Sequence, residues 1–349
     1  MAFLRNAWYV AAWSFEVTDE MFPRRLLGEP VLVYRTKNGE PAAVQDRCPH
    51  RFAPLHLGRI RGDNVECGYH GLQFDRSGAC VHNPHGNQVV PKACRIRAYP
   101  IVERYGVLWL WAGDPERADP STISDFGYLV EAGRKTVHGS TLVRANYELI
   151  NDNLMDASHT QYVHMDLLGT DAFARSKHEV TQDGDTVHSN YVIPDSEIPT
   201  AYKDYFADQS QRVDYAVNFR WQPTSLVRNS VTLTPPAGTE GQRIERTGSH
   251  FMTPETETTS HYFFSHTRNF DLADPRVDAR IRRWQQSGLT EQDGSMIEAV
   301  QKEMGASRFD ELRPVLLSID TAAVRVRRVL AKLITAEQQP HQTSVPTAA

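Results

Sequence analysis

Two short stretches decide how this chain is read: Cys48-Pro49-His50 and, sixteen residues on, Cys67-Gly68-Tyr69-His70. Written out they are C-x-H-x16-C-x2-H, so each half supplies one thiolate and one imidazole. Thiolates suit iron–sulfur clusters and imidazoles suit iron, so the four side chains can complete a [2Fe–2S] cluster in which His replaces Cys on one iron. A structural zinc site uses the same ligand types. Zinc spacing, however, usually pairs two cysteines across two to four residues and keeps the histidines together. Here both halves are mixed, as two loops approaching one cluster from the same side require. Glycines within the second loop (Gly68 and Gly71) suit a backbone that must come close to a sulfide.

Working outward, the residues around these loops read as short strands: Trp8 to Trp13, Val31 to Thr36, around Val44, and Val107 to Trp111. Lys37-Asn38-Gly39-Glu40 between two of them carries the Asn-Gly hairpin signal. The segment starting at Gly113, GDPERADPSTISDFG, is dense in Pro, Asp and Ser and marks a domain boundary. Cys80 and Cys94 read as ordinary half-buried thiols, and His82 and His85 as a polar loop beside the cluster.

Beyond the boundary the pattern changes. Asn146 to His164 has helical spacing, then strands recur around Val187 to Ile193, Val213 to Trp221, Ser225 to Thr234, Gly248 to Thr253 and Ser260 to Thr267. Asp278 to Gln286, Thr290 to Met304 and Thr321 to Leu333 are helical again. Strands in a block flanked by helices predict an α+β fold. On the first of these helices Asp152, Asp156 and His159 fall at i, i+4 and i+7, one helical face, and His164 five residues later calls for a π-type turn. Two imidazoles and a carboxylate with open positions make the facial triad of non-haem Fe(II) oxygenases, although a solvated surface helix has the same residues.

Composition narrows the field. At 349 residues two or three domains are expected, and 40% hydrophobic with 23% charged residues is the mix of a folded soluble protein. A net charge of −5 argues against nucleic acid as a partner. The longest apolar run, Val107 to Ala112, is far short of the ~20 residues that span a membrane. Four cysteines and a start, MAFLRNAWYV, without a long apolar core ahead of a cleavage site lead to a cytoplasmic expectation. Neither a G-x-G-x-x-G after a strand nor a plant-type C-x4-C-x2-C set is found, so no reductase is fused to the chain.

The paired motifs resemble those of Rieske non-haem iron oxygenases, oxygenase component, most of all the vanillate O-demethylase and dicamba monooxygenase group. Arg5 to Ala11, Asn151 to Asp156, His261 to Phe264 and Trp284-Gln285 carry the likeness over nearly the whole length. It implies an all-β Rieske domain over 1–115, a START-like (helix-grip) catalytic domain with an antiparallel sheet over 116–335, and a flexible tail over 336–349. By resemblance Cys48, His50, Cys67 and His70 hold the cluster, and His159 and His164 hold Fe(II). The third ligand is a distant carboxylate; Asp293 is chosen over Glu291 and Glu298 because it follows the Trp-Gln segment. Asp156 is expected to bridge a cluster histidine of one subunit to His159 of the next in a homotrimer, with Asn153 beside it as a second catalytic candidate. Asn229, His250 and Trp284 correspond to substrate-facing positions.

The activity implied is hydroxylation of an aromatic carboxylate with O2, through oxidative O-demethylation that releases formaldehyde. Electrons would come from a separate NAD(P)H-dependent reductase, directly or through a ferredoxin. Ring dihydroxylation or attack on an aryl ether or sulfonate uses the same triad. An electron carrier with a non-catalytic ligand-binding domain is the reading from another class, and it has no need of the triad.

Overall fold

The computed structural model describes residues 3–339. Its N-terminal part is built from three small antiparallel sheets. Trp8–Trp13 pairs with Val107–Trp111, which pairs with Ile101–Arg104; Phe22–Leu26, Glu29–Arg35 and Pro41–Gln45 form a second sheet. The Asn-Gly turn closes that sheet's second hairpin, with Gly39 at φ 81° and its N–H donating to the Thr36 carbonyl. The third sheet, Arg59–Arg61, Asn64–Glu66, Gln73–Phe74 and Cys80–His82, carries the second cysteine loop between its middle strands.

The C-terminal part is one seven-stranded antiparallel sheet. In chain order its strands are β1 (Lys135–Val143), β2 (Lys177–Asp183), β3 (Thr186–Ser196), β4 (Val213–Gln222), β5 (Leu226–Thr234), β6 (Ile244–Pro254) and β7 (Ser260–Arg268). Their spatial order is β1-β7-β6-β5-β4-β3-β2. The two strands that sequence patterning missed, β1 and β2, are the two edges. An edge strand covered on one side only needs few apolar residues, so its pattern is weak. Along β4 the pleat alternates buried and half-buried positions without interruption.

Four helices pack on this sheet: α1 (Tyr147–Met155), α2 (Pro275–Trp284), α3 (Gly294–Met304) and α4 (Thr321–Gln338). Two of the expected helices, Asp278–Gln286 and Thr290–Met304, turn out to be one rod. Residues Gln285–Asp293, which join α2 to α3, wind as a π-helix. The expected helix over 146–164 is instead broken. It stops at Asp156, whose backbone is extended (φ −117°, ψ 104°), and a short 3-10 turn follows over Ala157–Gln161. The Asp156 carboxylate accepts the Ser158 N–H, an N-cap that begins the new turn. Asp152 and Asp156 therefore do not share a face with His159.

The two parts meet in an aromatic core. Trp8, Trp13, Trp109 and Trp111 from the N-terminal sheet pack with Phe126 of the boundary segment and with Phe251 and Phe263 of β6 and β7. The Pro- and Asp-rich segment at 113–127 is thus a tightly laid strap, with Ile123 and Phe126 buried. Helix α4 runs to Gln338, past the residue 336 expected to start a tail, because Glu337 accepts hydrogen bonds from the Arg5 and Asn6 backbone N–H groups. Further back on the same helix, Arg327 reaches Glu148 (2.8 Å) and Asp152 (3.0 Å) of α1. Burial pushes both carboxyls up, so they depend on the guanidinium. Arg327→Met is expected to lower stability by about 3–5 kcal/mol, the cost of leaving buried charges unpaired. The check is the midpoint of thermal unfolding against that of wild type.

Candidate active site

The two cysteine loops are built alike. The Phe52 N–H donates to the Cys48 carbonyl and the Gly71 N–H to the Cys67 carbonyl, each across four residues. Each closing residue sits in the left-handed region, Phe52 at φ 60° and Gly71 at φ 71°. The loops press backbone on backbone: a Cβ on Gly68 would lie 2.6 Å from the Leu57 carbonyl oxygen. The neighbouring loop by itself therefore requires a glycine at 68. Cys48 and Cys67 are buried, whereas His50 is exposed and His70 half-buried on the rim. The two rings face each other at 4.6 Å between centroids.

This layout fits a cluster whose one iron takes the sulfurs and the other the rings. Burial, and then the Cys67 sulfur, push the Cys48 thiol up to about 11, while the His50 and Arg51 N–H groups aimed at it work the other way. Those N–H donors are what a bound thiolate needs. Beside the cluster site His85 touches the His70 carbonyl through Nε2 at 2.8 Å, so it belongs to the supporting loop. Cys80 and Cys94 lie across an antiparallel bridge, and burial followed by the Cys80 neighbour pushes Cys94 up to about 12. Cys94 is therefore an unreactive thiol at neutral pH.

In the second domain His159, His164 and Asp293 come together, one ligand atom of each within 4.8 Å of the others. The Nε2 atoms lie 3.5 Å (His159) and 3.0 Å (His164) from Asp293 Oδ1. The opposite ring nitrogens are both engaged: His159 Nδ1 with the main-chain carbonyl of Asp156, and His164 Nδ1 with Gln292 Oε1 at 2.7 Å. A carbonyl can only accept, so both Nδ1 atoms carry the proton and both Nε2 lone pairs face Asp293. Burial opposes protonation of His164, but the Asp293 carboxylate outweighs it and raises the pKa above the ordinary value. Two imidazoles and a carboxylate aimed at one point fit a mononuclear metal ion with open positions.

Three expectations change here. The Asp156 carboxylate does not touch the His159 ring. It is held by Ser158 N–H (2.8 Å) and by the Tyr191 hydroxyl (3.3 Å), and only its main chain orients the histidine. From His159 to His164 the chain makes ordinary turns, with the Val163 and His164 N–H groups bonded to carbonyls four residues back. The π-winding lies instead on the segment that delivers Asp293. Of the other acids weighed, Glu298 accepts the Arg144 N–H and Glu291 accepts from Gln286, both away from the centre. Asn153 donates to Asp293 Oδ1 at 3.3 Å and so steadies that carboxylate.

A cavity of about 290 Å³ lies along the π-segment, with Arg246, His266, Trp284 and Ser287 in its wall. That volume, near the lower bound for small-ligand sites, suits one substituted ring. Trp284 is half-buried and stands edge-on to His266, 4.3 Å between centroids. His250, on β6, is buried; its Nδ1 pairs with the Tyr262 hydroxyl at 2.6 Å. Burial and the positive Arg246 push its pKa down to about 3, against an opposing pull from Asp293. His250 is thus neutral and stands within electrostatic reach of both. Asn229 has its oxygen committed to Arg246 Nη2 at 3.0 Å. Arg246 and His266 escaped the sequence reading. The available signal was register: 246, 248 and 250 share one face of β6.

Fold and site together define a two-centre redox protein, an iron–sulfur domain joined to an α+β domain with a metal triad. Residues 7–100 match the Rieske [2Fe–2S] domain and 143–336 the vanillate O-demethylase oxygenase C-terminal domain. The chain belongs to the Rieske non-haem iron oxygenases of the vanillate O-demethylase type, which are oxidoreductases. It is 41% identical over 333 residues to the dicamba O-demethylase oxygenase component of Stenotrophomonas maltophilia, covering 95% of this chain and 98% of that one. It is 40% identical to the toluene-4-sulfonate monooxygenase iron–sulfur subunit of Comamonas testosteroni, over 96% of this chain and 98% of the relative. The crystal structure of dicamba monooxygenase bound to dicamba superposes with a TM-score of 0.90 at 40% identity, over 97% and 99% of the two chains. Among the described residues no helix is long and apolar enough to cross a membrane.

If the triad holds the mononuclear metal, Asp293→Ala loses that iron while the cluster stays. Iron analysis together with the visible absorption of the cluster checks this; unchanged iron content would remove Asp293 from the ligand set.

Proposed function

We propose that this chain is the oxygenase component of a multicomponent monooxygenase that demethylates a methoxy-substituted aromatic carboxylate. The observation that carries the reading is the triad His159, His164 and Asp293, whose carboxylate ends the π-wound segment that follows the cavity-lining Trp284 and Ser287. The curated relatives named for O-demethylation support it. Iron held by the triad supplies activation of O2 for hydroxylation of a substrate C–H bond. Hydroxylation of a methoxy carbon gives a hemiacetal, which collapses to a phenol and formaldehyde.

The chain's own residues do the placing. Trp284 presents an indole to an aromatic ring, and His250, kept neutral, offers Nε2 to the substrate. Gln292 and the Asp156 carbonyl hold the two ring tautomers, and Asn153 holds Asp293. The exposed rim around His50, Arg51 and His70 suits docking of a separate NAD(P)H-dependent reductase, with or without a ferredoxin between. Charge there chiefly sets the association rate.

The same rim, in a homotrimer, brings a cluster histidine of one protomer to Asp156 of the next. Asp156 Oδ1 accepts from the Ser158 N–H and the Tyr191 hydroxyl, while Oδ2 takes only the Ser158 hydroxyl and can accept a further hydrogen bond. The low cysteine usage agrees with a cytoplasmic protein. The strap supports a domain limit near 115, while the last helix continues past 335 to Gln338, and residues 340–349 of the expected tail lie outside the described residues.

The direct test supplies a surrogate reductase and NADH, and follows O2 uptake and formaldehyde across methoxybenzoates. Formaldehyde in step with O2 is expected; O2 uptake with a dihydroxylated ring product would refute demethylation. A second expectation concerns Asp156→Asn: both iron centres stay loaded, yet turnover is nearly abolished. Normal turnover in that variant would sink the bridge between subunits.

A further inference from the structure

Resting on the demethylase reading, we propose that Arg246, Trp284 and His266 form the subsite that takes the oxyanion head of the substrate, a carboxylate or a sulfonate. Asn229 acts as the positioning residue for Arg246.

Arg246 uses two of its three nitrogens on neutral acceptors: Nε on the Tyr202 hydroxyl at 3.1 Å and Nη2 on Asn229 Oδ1 at 3.0 Å. Its Nη1 is buried with no partner. Among the arginines around the cavity, Arg268 is paired with Asp278 and Arg280 with Asp204, but no such carboxylate meets Arg246. A guanidinium withdrawn from water with an idle fork is held for an anion.

The neighbouring groups are donors as well. Trp284 Nε1 is buried without a partner, and the Arg246 guanidinium carbon lies 5.5 Å from the Trp284 ring centre. His266 is 1% exposed, and its Nε2 is likewise orphaned. Its tautomer follows from its neighbour. Gln285 Nε2 donates to the Val137 carbonyl (3.1 Å), which marks it as the amide NH2, and the same nitrogen donates to His266 Nδ1 (3.0 Å). Nδ1 therefore accepts, and the proton of the neutral ring sits on Nε2. Burial, with Arg246 next in effect, keeps that ring neutral.

Arg246, His266 and Trp284 thus bring three idle buried N–H donors to one cavity, and Arg268 Nη1 is a fourth, with no idle buried acceptor on these four residues. The ligand group that satisfies them has acceptors only, and the uncompensated charge asks for a negative one. Gly248 leaves the room: a Cβ there would lie 3.3 Å from both Arg246 Nη1 and His250 Nε2. With the acid head at Arg246, the rest of the ring extends past Gly248 toward His250, which already feels Asp293.

The test is calorimetric binding to the anaerobic holoenzyme, without reductase. The probes are 3-methoxybenzoate, 3-methoxybenzenesulfonate and methyl 3-methoxybenzoate, the uncharged ester. One or both anions should bind about tenfold to a hundredfold tighter than the ester, the range of hydrogen bonds to charged groups. Whichever anion binds tighter identifies the head group. Arg246→Gln should bring that ratio close to one while ester affinity stays. Asn229→Asp, nearly isosteric, should do the same by neutralising the guanidinium, a shift that a purely structural asparagine would not produce. If the Gln variant fails to fold, as judged by the cluster absorption, Asn229→Asp carries the test.

An anion preference that survives these changes, or its absence in wild type, overturns the subsite. Formaldehyde production is scored separately. Turnover without anion preference leaves the demethylase and removes the subsite; an Arg246-dependent preference without formaldehyde does the reverse.

Discussion

The under-wound turn at Gln285–Asp293 is the constraint on which the second centre depends. An α-helix running from Pro275 to Met304 would repeat every 3.6 residues, and residues 284 and 293 would be placed by that period alone. The wider π-winding shifts the face, so that Trp284 and Ser287 line the cavity while Gln292 and Asp293 reach the histidines. Such winding has a poorer hydrogen-bond geometry than the α form and tends to persist where a site uses it. Here one segment carries the cavity wall, one candidate ligand and the carbonyl that orients another.

The rest of the scaffold holds the opposite half in place. Helix α1 must end at Asp156 for His159 to turn toward Asp293, and its position is held from behind by Arg327 of α4 against Glu148 and Asp152. The same helix α4 ends on the N-terminal domain through Glu337. Together with the tryptophan-rich core that Trp8, Trp109, Phe126 and Phe251 share, this fixes the two domains of one chain as a unit.

Polar groups around the cavity follow a consistent logic. Each buried histidine has one nitrogen committed: His250 to Tyr262, His266 to Gln285, His164 to Gln292; burial keeps His250 and His266 neutral, whereas the Asp293 carboxylate raises the His164 pKa. The uncommitted nitrogen is the one available for chemistry or binding. Orphaned buried donors are rare in folded proteins and each needs a reason. Those of Arg246, His266, Arg268 and Trp284, beside one cavity, have a common one.

From the sequence alone, the C-x-H and C-x2-H pairs specified two loops and their metal chemistry, because ligand type and local spacing are properties of short segments. The strands central to the large sheet were readable for the same reason: interior strands must be apolar. His159 and His164 were legible as donors, but the helix drawn from Asn146 to His164 ends at Met155, where the cap at Asp156 starts a new turn. Which carboxylate joins them, how Gln285–Asp293 winds, and that Arg246 faces Gly248, His250 and Trp284 were decided by tertiary structure. The triad depends on contacts between residues more than a hundred positions apart, and a charge among many on a polar-looking strand gives no local sign that folding will strip it of water and leave it unpaired.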